Sequence, residues 1–151
     1  MLNFISDISH YDIVLNLATQ AKRSLWIGTA DIKDLYVIQG RVEKPFLGIL
    51  AELIGRGVEI RLIHAKEPGP NFREDFDRYP RLAKMLERVM CPRVHFKIIV
   101  IDQKICYVGS ANLTGAGMGM KSPHRRNFEA GIITDASDIV NAAIEEFDKV
   151  W

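Results

Sequence analysis

Between residues 94 and 112 the chain reads VHFKIIVIDQKICYVGSAN. Two apolar runs, 93–101 and 104–108, are separated there by little more than Asp102 and Gln103. β-branched residues suit a pleated, buried surface, and so short a polar break suits a hairpin. The stretch therefore predicts two adjacent central strands, and any fold for this chain must build a sheet around them.

The rest of the chain alternates in kind. Apolar spacing predicts helices over 9–23, from Pro45 to the glycines at 55 and 57, over 71–78 with Asn71 as a cap, over 81–89, and over 138–151. Strands are predicted over 24–30, 58–64 and 127–134, whereas 31–43, broken by Gly40, reads as loop with at most a helical turn. Interleaved helices and strands imply an α/β domain with a mixed, mostly parallel β-sheet flanked by helices on both faces. With no linker or repeat, residues 1–151 form a single domain.

The bulk numbers narrow the function classes. At 151 residues, 48% hydrophobic and 26% charged, the chain has the composition of a soluble globular protein. Its net charge of +1 gives no global attraction to nucleic acid, so any such role needs a local patch. Cys91 and Cys106 border or enter apolar runs and are expected as reduced, buried thiols. The start, MLNFISDISHYD, has no basic leader, and no run reaches the ~18–20 apolar residues of a membrane span. A cytoplasmic protein without a membrane anchor is the expectation.

Chemistry concentrates in the opening stretch. Strand alternation puts His95 and Lys97 on one face, with Phe96, Ile98 and Val100 on the other. Asp102 has the opposite parity to His95 and lies about 23 Å along a regular strand, so a structural role is expected for it. A hairpin returns Gly109, Ser110 and Asn112 towards His95 and Lys97. Gly109 permits close backbone approach, and the Ser110 hydroxyl, Asn112 amide and Lys97 ammonium suit phosphate oxygens. Glu129, which shares a face with Asn127, can accept the Nδ1 proton of His95 and leave Nε2 free to attack phosphorus. Lys121, Arg125 and Arg126 form the densest local positive charge and are candidate contacts to a nucleic-acid backbone; Arg88 and Arg93 are candidates to extend that patch, although Arg93 equally suits the strand entry. Met118 and Met120, set among glycines, are either a lip of the site or ordinary packing. No carboxylate cluster calls for a metal.

These residues resemble a known family. The spacing His95-x-Lys97-x4-Asp102-x6-Gly109-Ser110-x-Asn112, followed by Asn127-x-Glu129, is similar to the HKD motif of the phospholipase D superfamily. Leu25-Trp26-Ile27 and the segment from Arg56 to Arg61 resemble the N-terminal half of such a domain, so the likeness covers nearly the whole chain. His64-Ala65-Lys66 also reads His-x-Lys, but Glu67, Pro68, Gly69 and Pro70 follow where strand residues are needed. It is expected at a strand end or on the surface. The resemblance implies a two-step reaction: one histidine attacks phosphorus to give a phosphohistidine, and a second protonates the leaving oxygen and then activates water. With one motif per chain, it further implies a homodimer that brings two His95 residues together, as in small endonucleases of the superfamily, with no metal and no cofactor. The expected activity is a metal-independent phosphodiesterase, a non-specific nuclease acting on DNA or RNA. Two other readings stay open, a phospholipase D or phosphatidyl transferase and a catalytically silent nucleic-acid-binding subunit.

Overall fold

The computed structural model describes residues 1–33 and 35–151. In chain order they form β1 (Leu2–Ser6), a π-helical segment (His10–Leu15) running into α1 (Asn16–Ala18), β2 (Ser24–Thr29), β3 (Tyr36–Gln39), β4 (Val42–Pro45) and α2 (Phe46–Gly55). There follow β5 (Glu59–His64), α3 (Pro70–Arg78), α4 (Pro80–Met85), β6 (Glu87–Met90), β7 (Lys97–Ile101), β8 (Ile105–Gly109), a 3-10 turn (Pro123–Arg125), β9 (Ala130–Thr134) and α5 (Ser137–Val150). Seven strands make one sheet in the order β1-β9-β8-β7-β2-β5-β6, and β3 and β4 pair separately.

Strand alternation divides the core in two. Leu25, Ile27, Ile60, Leu62, Ile99, Ile101 and Tyr107 face one side, packed with residues of α1, α2 and α3. Trp26, Ile63, Ile98, Val100 and Cys106 face the other, under Val140, Ala143 and Phe147 of α5. There the Trp26 and Phe147 rings stack with centroids 5.4 Å apart. The α/β class and the mixed sheet with helices on both faces are thus as expected.

The strand directions are not. Only β2–β5 and β5–β6 are parallel, whereas β2–β7, β7–β8, β8–β9 and β9–β1 are antiparallel. The reason is local: from β7 to β9 no crossover helix intervenes, so each strand returns beside its predecessor. Three segments also change kind. β1 is an edge strand in which only Ile5 is buried, too little apolar content to reveal it. The expected loop at 31–43 contains the β3–β4 hairpin, turning at Gly40 with φ 63°. The expected helix 81–89 stops at Met85 because residues 87–90 pair with the open edge of β5. The strands predicted from 93 and 127 begin only at Lys97 and Ala130. Cys91 and Cys106 are free thiols, half-buried and buried.

The turn between β7 and β8 places Asp102 and Gln103 at φ 54° and 55°, a region Asp tolerates better than most residues. The Asp102 carboxylate reaches across to the start of β2 and accepts the N–H groups of Arg23 at 2.7 Å, Lys22 at 3.0 Å and Ser24 at 3.1 Å. Burial works against its charge, but those N–H groups and the nearby Lys104 outweigh it and hold the carboxyl below its ordinary range. Replacing Asp102 with Asn exchanges a charged acceptor for a neutral one and costs about 2 kcal/mol of stability at neutral pH. A carboxyl depressed on folding stabilises fully above its unfolded pKa, about 4, and the contribution fades as pH falls through the lower folded value. Urea melts at decreasing pH should therefore show the gap between wild type and D102N closing below about pH 4; a gap that stays constant would place the stabilisation elsewhere.

Candidate functional site

The β7–β8 register pairs Lys97 with Gly109. His95 precedes the one and residues 110–112 follow the other, so the hairpin gathers all of them at one edge of the sheet. Gly109 is required there, because a Cβ would meet the Ala130 carbonyl oxygen at 2.6 Å and the Tyr107 hydroxyl. Ser110 is held by two bonds, its N–H to the Ala130 carbonyl at 2.9 Å and its hydroxyl oxygen accepting the Ala130 N–H at 2.9 Å. The hydroxyl proton remains free to donate.

Asn112 is fixed the same way. Its Oδ1 accepts the N–H groups of Asp31 at 3.0 Å and Ala30 at 3.2 Å, just past the end of β2. With the oxygen committed, the side chain offers its NH₂ group to a ligand. Lys97 is 8% exposed, and its Nζ lies 3.4 Å from Nδ1 of the exposed His95. The expected bond from His95 Nδ1 to Glu129 is not formed. Residues 127–129 lie outside β9, so strand pairing does not aim the Glu129 carboxylate at the imidazole. Glu129 instead lines a cleft of about 520 Å³ together with Ser110, Arg126 and Phe128. A cleft of about 990 Å³ opens at the other ends of the strands, between the π-helical segment and the β3–β4 hairpin, and contains no predicted site residue.

Beneath the site runs a buried chain that sequence reasoning missed. Ala111 N–H points at the Tyr107 hydroxyl, 3.3 Å away, which donates to His10 Nε2 at 2.9 Å, while His10 Nδ1–H donates to the Asp7 carbonyl at 3.0 Å. Burial lowers the His10 pKa and pushes Tyr107 up to about 12, so both are neutral near pH 7. Local pattern gave no signal for this pair, since 97 positions separate its members.

The remaining candidates divide. Lys121 and Arg125 are exposed. Arg126 is not a free cation: its Nη1 pairs with Asp7 at 2.7 Å. The Arg88 guanidinium lies 5.1 Å over the Phe76 ring, away from the basic loop, while Arg93 is exposed. Met118 is buried in the core and Met120 packs against it, which makes them packing residues. His64 ends β5 but is 2% exposed rather than on the surface, with Nδ1–H donated to the Lys66 carbonyl at 2.8 Å. No group of three or more His, Cys, Asp or Glu among the described residues could hold a metal ion, and no helix among them is long and apolar enough to cross a membrane.

The family described as "Cardiolipin synthase, PLD-like domain" matches residues 14–151. Phospholipase D Z of Dictyostelium discoideum is 28% identical over 74% of this chain, which spans only 29% of that protein. Among solved structures, NucT from Helicobacter pylori superposes with a TM-score of 0.71 at 17% identity, over 99% of this chain and 94% of that one. Nuc from Salmonella typhimurium, a phospholipase D family member, does so with 0.69 at 16%, over 99% and 93%. At these identities the two structures establish a shared fold.

The close packing at Gly109 is directly testable. G109A forces a Cβ against the Ala130 carbonyl and costs about 1–3 kcal/mol. Thermal melts should show a correspondingly lower Tm, and an unchanged Tm would mean that the β8–β9 contact is looser than described.

Proposed function

The chain belongs to the PLD-like domain family described with cardiolipin synthase, and from that premise we propose that it is a phosphodiesterase acting on nucleic acid through a phosphohistidine, with no metal ion and as a homodimer. One observation carries the reading: the Lys97–Gly109 register brings an exposed imidazole, an ammonium and an amide NH₂ to one sheet edge. That set matches a phosphodiester, with donors for the non-bridging oxygens and a nucleophile for phosphorus.

In this mechanism Lys97, Asn112 and Ser110 hold the phosphate oxygens. His95 Nε2 attacks phosphorus, forming a P–N bond as a P–O bond to the leaving group breaks. His95 of a second copy protonates the leaving oxygen, then takes a proton from the water that attacks phosphorus and breaks the P–N bond. The nucleophile is a side chain, so no metal-activated water is needed. Exposed Leu2, Phe4 and Val108, on one side of the sheet, supply an apolar surface for a second copy. The exposed Lys121 and Arg125 favour a polyanion. The family description and the likeness to phospholipase D Z favour phospholipid as the second reading.

The deciding measurement is a panel of single- and double-stranded DNA, RNA and phosphatidylcholine vesicles with wild type and H95A. The expected result is nucleic-acid cleavage that survives EDTA and is abolished in H95A. Hydrolysis of lipid alone would favour the second reading, and complete loss in EDTA would sink the metal-free mechanism. Sedimentation should find a dimer at assay concentration; an active monomer would contradict the shared site.

A further inference from the structure

Phe128 stands between Asn127 and the predicted site residue Glu129, with its side chain fully exposed. The backbone before it is pinned, since Asn127 N–H donates to the Ala116 carbonyl at 3.0 Å. The ring is therefore presented from a held segment. It borders the 520 Å³ cleft whose other walls include Ser110, Asp7 and Arg126, a volume within the ordinary range for small-ligand sites.

The Ser110 hydroxyl on the cleft wall supplies the polar half: its oxygen is taken by the Ala130 N–H at 2.9 Å, and its proton is free to donate. The cleft thus combines an exposed aromatic face with a hydroxyl donor. An acyl chain would use the ring but bring the hydroxyl no acceptor. A nucleotide uses both, because a base has two π-faces and its phosphate carries acceptor oxygens.

We propose that this cleft is a nucleobase subsite: the base of the nucleotide next to the scissile phosphate stacks on Phe128, while an oxygen of that phosphate accepts from the Ser110 hydroxyl. This rests on the nuclease reading and deepens it. In a duplex the faces of a base are covered by its neighbours, so only an unstacked base can use the ring, and the substrate is single-stranded nucleic acid. Stacking is tolerant of base identity, so little sequence preference is expected.

The test compares kcat/KM on a short single-stranded DNA oligomer, the same oligomer built wholly of abasic residues, and its duplex. Base–aromatic stacking of about 1–3 kcal/mol corresponds to roughly a 5- to 150-fold preference of wild type for the base-bearing strand. F128A should lose that preference, F128W should keep it, and the duplex should be a poor substrate for all three. In a binding assay on the H95A protein, 2-aminopurine in the oligomer should be quenched, and the F128A substitution should remove the quenching. Wild type cutting the abasic strand as fast as the base-bearing one overturns the subsite while leaving the nuclease reading intact. F128A that keeps the preference but weakens the dimer overturns it in favour of a second copy covering the ring. Failure of wild type to cut either strand removes the nuclease reading itself.

Discussion

Both ends of β2 are tied by side chains from the β7–β8 hairpin and the residues just after it. Asp102, in the hairpin turn, accepts the N–H groups of residues 22–24 where β2 begins. Asn112, three residues past the hairpin, accepts the N–H groups of residues 30 and 31 where β2 ends. A strand end has backbone donors without ladder partners, and leaving them buried and unpaired is costly. β2 lies in the middle of the sheet, parallel to β5 and antiparallel to β7. Securing it therefore secures the join between the two kinds of pairing. Two residues of one recognisable spacing thus do structural work at opposite ends of one strand, and one of them also faces the site.

That double duty sets the site's polarity. Asn112 cannot present its oxygen to a ligand without abandoning two backbone donors, so it meets an anion as a donor. Ser110 is constrained likewise, its oxygen taken by Ala130 N–H. Below them the bonds run in one direction, Ala111 to Tyr107 to His10 to the Asp7 carbonyl. Such a chain needs a neutral imidazole with its proton on Nδ1, and burial of His10 favours that state. Protonation of His10 would place a second donor against the Tyr107 hydroxyl and leave no acceptor there. The fold therefore aims donors outward at the sheet edge and consumes its acceptors inward.

Much of this was legible in the chain because it is local. The hairpin, the parity that removes Asp102 from His95, and the return of Ser110 and Asn112 all follow from period two and a short turn. What was not legible depends on partners distant in sequence. β1 and β6 hold few buried residues and exist because β9 and β5 have open edges to pair. The count of parallel strands was overestimated because helix-rich segments suggest crossovers, and none separates β7, β8 and β9. The absence of a His95–Glu129 bond follows from β9 starting later than the apolar pattern implied, which frees residues 127–129 from strand geometry. That same late start puts Phe128 in solvent rather than in a ladder.

The 3.4 Å approach of Lys97 Nζ to His95 Nδ1 bears on how the proposed reaction begins. An ammonium can only donate, so Nδ1 must accept, and a neutral imidazole then carries its proton on Nε2. In that tautomer Nε2 has no lone pair for phosphorus. A phosphate oxygen is a stronger, charged acceptor for Lys97 than a neutral ring nitrogen, so binding the diester withdraws the ammonium from Nδ1. The proton can then move to Nδ1, and Nε2 becomes nucleophilic. In the proposed reaction the substrate's own charge thus prepares the nucleophile.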